Sequence, residues 1–254
     1  MLKGLVNVTP PCYHGFSQET PNERVTMNKR ETVLVVDVET CGGFDSPKVY
    51  DLGFAVVVRS TGRIIESHSL IISDVFYGME REMQSAYYAE KLPMYHAGIE
   101  DGSFRVVTLW EAWRLVRETI KAYGVKRIYA YNAKFDKGAL NNTMKVVTGG
   151  KYHNFMPAGT RWLCIWHMAC QTILSQKGYR KFAEANGMVS PAGNLRTSAE
   201  AAYAYITRTP GYVEPHTGLA DVEIETAILH KIVRQHKRMN ERPVFNCWTI
   251  PQRV

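Results

Sequence analysis

The sequence is poor in the features that would set it apart from ordinary globular chains. It has no CxxC pair, and its five cysteines (Cys12, Cys41, Cys164, Cys170 and Cys247) are an odd number. That argues against a disulfide scaffold and points to free thiols in a reducing compartment. The spacing Cys164-x-x-His167-x-x-Cys170 has no fourth zinc ligand nearby; small or amphipathic residues on a buried helix account for it better. No apolar run approaches the ~20 residues that span a bilayer. The N-terminus lacks the apolar core of a signal peptide. The expected location is therefore the cytoplasm, with no membrane partner. Internal repeats and low-complexity tracts are absent.

What is present is a basic chain of 254 residues, net charge +7, with a pI of about 9.1. The length suits one large domain or two small ones and is enough to bury a core without staples. Hydrophobic residues make up 45% and charged residues 22%, as in soluble domains. A positive surface attracts polyanions, which makes a nucleic acid a candidate partner.

Residues 1–30 carry polar turn formers without periodicity, including Thr9-Pro10-Pro11 and Thr20-Pro21-Asn22-Glu23. They read as a flexible N-terminal extension. The domain opens with Thr32-Val33-Leu34-Val35-Val36, a β-branched run suited to a buried central strand that ends in Asp37-Val38-Glu39-Thr40, before a glycine turn at Cys41-Gly42-Gly43. Strands over 49–58 and 63–72 follow, joined by a Thr61-Gly62 hairpin turn. Residues 76–104 mix helix-like pieces with breakers at Pro93, Gly98 and Gly102, and 108–123 reads as a helix closed by Gly124. A fourth strand over 127–132 runs into a helix to about Val147, and 162–164 forms a short fifth strand. Thr197-Ser198-Ala199-Glu200 reads as a capping box. A last helix runs from about Leu219 to Arg238, and 241–254 is a C-terminal tail. Strand and helix in alternation after a meander predict an α/β sheet of mixed direction.

Three short patterns occur in order. In Asp37-x-Glu39 two carboxylates at i and i+2 of a strand point the same way and could share a metal; a solvated strand end is the plain alternative. In Asn132-x-x-Phe135-Asp136 the aspartate lies near the first pair if strands one and four are neighbours, although aspartate at a helix start is also a common cap. In His216-Thr217-Gly218-Leu219-Ala220-Asp221 a loop histidine precedes a carboxylate in the first turn of the last helix. Four carboxylates meeting at one place would repel one another unless cations neutralise them, and oxygen ligands of this kind suit Mg²⁺ or Mn²⁺. A histidine beside them could take a proton from water.

In order and spacing, these three patterns resemble the DEDDh 3′-to-5′ exonucleases of the ribonuclease-H-like superfamily, which include polymerase proofreading subunits, ribonuclease T and many phage enzymes. The resemblance covers roughly residues 31–240. It implies an α/β fold with a five-stranded mixed sheet of order 3-2-1-4-5, strand 2 antiparallel, flanked by helices. It implies that Asp37, Glu39, Asp136 and Asp221 hold two metal ions, Mg²⁺ or Mn²⁺, and that His216 is the general base. Hydrolysis from the 3′ end of single-stranded DNA is the function it implies, with a polymerase or other replication protein as a candidate partner. Insertions at 76–104 and 149–161 give the chain a likeness to phage members, for which the location would be the host cytoplasm.

The chain departs from the family pattern at three places. Tyr131 stands where many members have histidine, Gly218 stands where alanine is usual, and Cys41-Gly42-Gly43-Phe44 replaces the commoner threonine, glycine and leucine. Thr40 and Phe44 are the candidates to pack on the terminal base, with Asn132 and Lys134 as further substrate contacts; Lys137 also flanks Asp136. An exoribonuclease of the same family remains an alternative, as does a nucleic-acid-binding or regulatory module that keeps the fold without catalysis.

Overall fold

The computed structural model describes residues 31–43, 45–241 and 250. The expected extension over 1–30 lies outside them, as does most of the expected tail after Glu241. Three long strands form first: β1 (Thr32–Cys41), β2 (Lys48–Val58) and β3 (Arg63–Ile72). Short helical pieces follow, α1 (Ser73–Phe76), α2 (Glu80–Gln84), a 3₁₀ turn at Ala89–Lys91, and α3 (Leu92–Glu100). Then come β4 (Arg105–Val107), α4 (Leu109–Ala122), β5 (Arg127–Ala130), α5 (Ala133–Val147) and β6 (Arg161–Cys164). The chain closes with α6 (Ile165–Gln171), α7 (Lys177–Ala185), α8 (Ala199–Thr207) and α9 (Gly218–Val233).

The strands make one six-stranded sheet of order β4-β3-β2-β1-β5-β6. β2 is antiparallel to both of its neighbours, and the other pairings are parallel. The expected order 3-2-1-4-5 is therefore present, with one strand added at the β3 edge. That strand, β4, spans three residues after the breakers of 76–104, too short for a two-residue period to register. The last helix stops at Val233, five residues earlier than expected, and the capping residue of α8 is Ser198, not Thr197.

The sheet divides the core in two. Leu34, Val36 and Val38 of β1, with Leu52, Phe54 and Val56 of β2, face α4 and α5. Val33 and Val35, with Ala55 and Val57, face α6, α8 and α9. Every β2 residue after Lys48 is buried, as both-face coverage requires. Trp110, by contrast, projects from α4 with 43% of its surface exposed, outside the core. Where β1 and β5 begin and β2 ends, Glu241 receives Arg59 Nη2 at 2.5 Å and Arg127 Nη1 at 3.2 Å, while Glu31 receives Arg127 Nε at 3.0 Å.

One close approach seats α9. A Cβ on Gly53 of β2 would stand 2.0 Å from the carbonyl carbon of Gly218, and one on Gly218 would stand 2.5 Å from the Gly53 nitrogen. The backbones touch directly, which explains why glycine stands at 218. The Gly218 N–H donates to Asp51 Oδ2 at 2.9 Å, and the Tyr95 hydroxyl donates to the same oxygen at 2.8 Å. Among the described residues no helix is long and apolar enough to cross a membrane.

Gly53→Ala is therefore expected to destabilise the protein by about 1–3 kcal/mol or more, as overpacking does. Gly138→Ala, in the middle of α5 with nothing within 4 Å of a new Cβ, is expected to stabilise it by about 0.5–1 kcal/mol. Urea unfolding of the two variants beside the parent checks both signs.

Candidate active site

β1 runs to Cys41 and carries Asp37 and Glu39 as strand residues, as the i, i+2 spacing of the two acids suggested. The two-residue period that points Val33 and Val35 at the α9 layer sends Asp37 and Glu39 the same way. Glu39 pairs with Asp51, after which the register skips Tyr50 and Thr40 pairs with Val49. The extra residue belongs to β2, so the bulge bends β2 beside the second carboxylate. Asp136 enters from the first turn of α5, and the Val38 backbone N–H donates to its carboxylate, which ties it to β1.

The third contribution comes from α9. Asp221 lies in its first turn, and the His216 backbone N–H donates to its carboxylate. His216 has φ of +50°, a left-handed conformation that histidine seldom adopts and that marks a position held by its surroundings. The surroundings are visible. The Tyr88 ring stacks on the imidazole at 4.4 Å and 19°, Lys91 Nζ lies 4.7 Å from the Tyr88 ring centre, and the same ammonium donates to the Pro215 carbonyl. One ligand atom each from Glu39, His216 and Asp221 lies within 4.8 Å of the others.

These residues line a cavity of about 440 Å³ with Asp37, Asp136, Glu214 and Glu225. Burial is the largest influence on the acids, and their mutual repulsion adds to it. Glu39 is pushed up to about 8, first by burial and then by Asp221 and Asp51. Asp221 rises to about 8 by burial and Glu214, with Lys91 working against the rise. Burial also lifts Asp136 to about 7, against the hydrogen bonds it accepts. Asp37 is raised by burial and by Glu225, Asp136, Asp221 and Glu39. His216 is lowered by burial and by Lys91, which favours the neutral imidazole near pH 7.

Asn132 stands on the cavity wall, while Thr40 and Lys134 are not among its lining residues. Phe44 lies outside the described residues. Lys137 is exposed on α5. Cys164, His167 and Cys170 are buried, and Cys164 Sγ lies 3.2 Å from the Tyr131 carbonyl it bonds. The sequence reading missed Tyr88, Glu214, Glu225, Trp166 and the start of α8, Thr197 to Ala199, all on the wall. Tyr131, at the family's usual histidine position, donates its hydroxyl to the Thr197 carbonyl at 2.6 Å and stacks on Trp166 at 5.9 Å and 17°. The one sequence sign of Glu225 was its place four residues after Asp221.

Structural comparison supplies what sequence comparison does not. The nuclease domain of 3′hExo, a DEDDh family member bound to rAMP, is similar at a TM-score of 0.50 and 12% identity, over 85% of this chain and 98% of that one. The chain carries this nuclease-domain fold. Exonuclease I from Methylocaldum szegediense aligns at a TM-score of 0.48 and 17% identity, and the Escherichia coli exonuclease I–ssDNA complex at 0.46 and 14%. Each alignment covers 82% of this chain, which spans 41% of the length of those two. No family model and no curated protein matches the sequence.

Divalent cations fit this donor set. The donors are carboxylate oxygens with one imidazole, and Asp221 Oδ1 and Glu225 Oε2 are buried with no hydrogen-bond partner. Acids raised from 3.8–4.5 to about 7–8 hold protons that a cation must displace. In protein stripped with chelator, groups raised by folding stabilise the fold below pH ~4 and lose that contribution as pH climbs through about 8. Melting temperature without cations is thus expected to fall over this window, Mn²⁺ to raise it most at the upper end, and Mn²⁺ binding at pH 7 to release protons. Thermal scans against pH, and calorimetry in two buffers of different ionisation enthalpy, measure these effects.

Proposed function

We propose that residues 31–240 form a metal-dependent 3′-to-5′ exonuclease that removes nucleotides from the end of single-stranded DNA. The observation that carries this reading is the convergence of Asp37, Glu39, Asp136 and Asp221, from three separate elements, with His216 on one cavity wall. Mg²⁺ or Mn²⁺ ions held there by the four carboxylates would neutralise the attacking and leaving oxygens of a phosphodiester. The remaining roles belong to the chain. His216, neutral near pH 7 and stacked on Tyr88, is the base that accepts the proton of the attacking water. Asn132, Phe135 and Trp166 on the wall offer an amide and aromatic faces to the terminal nucleotide. The cavity volume of about 440 Å³ is in the range of small-ligand sites, a scale that suits a terminal nucleotide.

RNA is the second reading, because the similar 3′hExo domain is described as bound to rAMP. The net charge of +7 supports a nucleic-acid substrate of either kind.

The test uses 5′-labelled DNA and RNA oligonucleotides of matched sequence with Mg²⁺ or Mn²⁺, beside a circular single strand. Stepwise shortening of linear DNA, with the circle left intact, is expected; no shortening of either polymer with either metal overturns the reading. His216→Ala is expected to lower kcat about 100-fold or more, the scale of general-base loss, with little change in KM. Tyr88→Ala is expected to lower kcat by a smaller factor, and Tyr88→Phe, which keeps the stacking ring, to restore most of it. Steady-state kinetics with a fluorescent single strand separates these cases.

A further inference from the structure

The site contains a carboxylate that the four-acid pattern does not include. Glu225 lies one helical turn beyond Asp221 on α9, on the same face. Its side chain is 3% exposed and forms part of the cavity wall beside Asp37, Asp136 and Asp221. Its neighbours on the helix, Val222, Ile224, Ile228 and Leu229, are core residues of the α9 layer, so a leucine would suit the packing there.

The two oxygens of Glu225 are in different situations. Oε1 accepts the Tyr131 backbone N–H at 2.9 Å, at the point where β5 turns toward Asn132. Oε2 is buried and has no hydrogen-bond partner. The charges that act on Glu225 are those of Asp136, then Asp221 and Glu214, all negative, and its own charge is the largest acting on Asp37. No donor lies within hydrogen-bond reach of Oε2, and the charged groups that share the wall with it are carboxylates and His216. A buried oxygen of this kind is satisfied by a cation.

We propose that Glu225 is a fifth carboxylate ligand of the site, whose Oε2 binds a divalent cation of the Mg²⁺ or Mn²⁺ class beside Asp37 and Asp136. This rests on the reading of the cavity as a cation site. The carboxylates then fall into two groups, Asp37, Asp136 and Glu225 on one side and Glu39 and Asp221, beside His216, on the other. Glu225 also links that cation to the Tyr131 peptide, and so to the end of β5.

The experiment is a Mn²⁺ titration of the full chain followed by electron paramagnetic resonance of the free ion, with Glu225→Gln and Asp37→Asn as variants. Glutamine keeps a carbonyl oxygen for the Tyr131 N–H and removes the charge. The parent is expected to bind two ions, and Glu225→Gln to weaken one of them about 10-fold or more while leaving the other unchanged. Equal binding of both ions by Glu225→Gln overturns the proposal alone, provided Asp37→Asn loses an ion. A parent chain that binds no Mn²⁺ overturns the cation-dependent function as well. Anomalous scattering from crystals of the unaltered chain soaked in Mn²⁺ needs no variant. A peak within coordination distance of Glu225 Oε2 supports the assignment, and peaks that leave Oε2 uncoordinated overturn it.

Discussion

The contact on which the rest of the site depends is made by two residues without side chains. Gly53 in β2 and Gly218 at the start of α9 let strand and helix backbones touch, and Asp51 pins the junction by accepting the Gly218 N–H. A helix held one side chain further off would carry Asp221 and Glu225 away from the face of β1 that presents Asp37 and Glu39. It would also take His216 with it, since the histidine is two residues ahead of the helix. Close approach of this kind is a reason for glycine in a strand interior, where it otherwise weakens the strand.

That closeness creates the second constraint. Acids from β1, α5 and α9 lie within reach of one another in a half-enclosed cavity, and each raises the proton affinity of its neighbours beyond what burial alone does. Lys91, from the segment before α3, is a counterweight on Glu39 and Asp221 but also lowers His216. The cation that eases the acids thereby keeps the imidazole free to accept a proton. The segment at 76–104, which in the sequence mixes helix-like pieces with breakers, thus holds the histidine by the Tyr88 stack and its loop through the Lys91 bond to the Pro215 carbonyl.

Legibility followed the range of the interactions. The β-branched run of β1, the hairpin at Thr61-Gly62 and the helix after Asn132 are local, and the order of the five longer strands followed from a family likeness that rested on three short motifs. β4 escaped because three residues show no period. Within the site, the four acids and His216 carried motif spacing, whereas Tyr88, Trp166 and Thr197 reach the cavity only through folding and have no sequence sign. Glu225 had a helical spacing from Asp221 that any surface glutamate would share; burial and an unpartnered oxygen distinguish it.

The ionic clasp of Glu31, Arg59, Arg127 and Glu241 has a topological meaning. Glu31 precedes β1, Arg127 starts β5 and Arg59 follows β2, so the clasp sits at one rim of the sheet, while Glu39, Asn132 and the cavity sit at the other. Glu31 and Glu241 are therefore close to one another, on the rim away from the cavity. New chain ends opened in a loop such as Gly149-Gly150, which is not part of the cavity lining, would leave every wall of the cavity in place. For the same reason, an attachment made at residue 31 or 241 would join the domain on the rim away from the cavity.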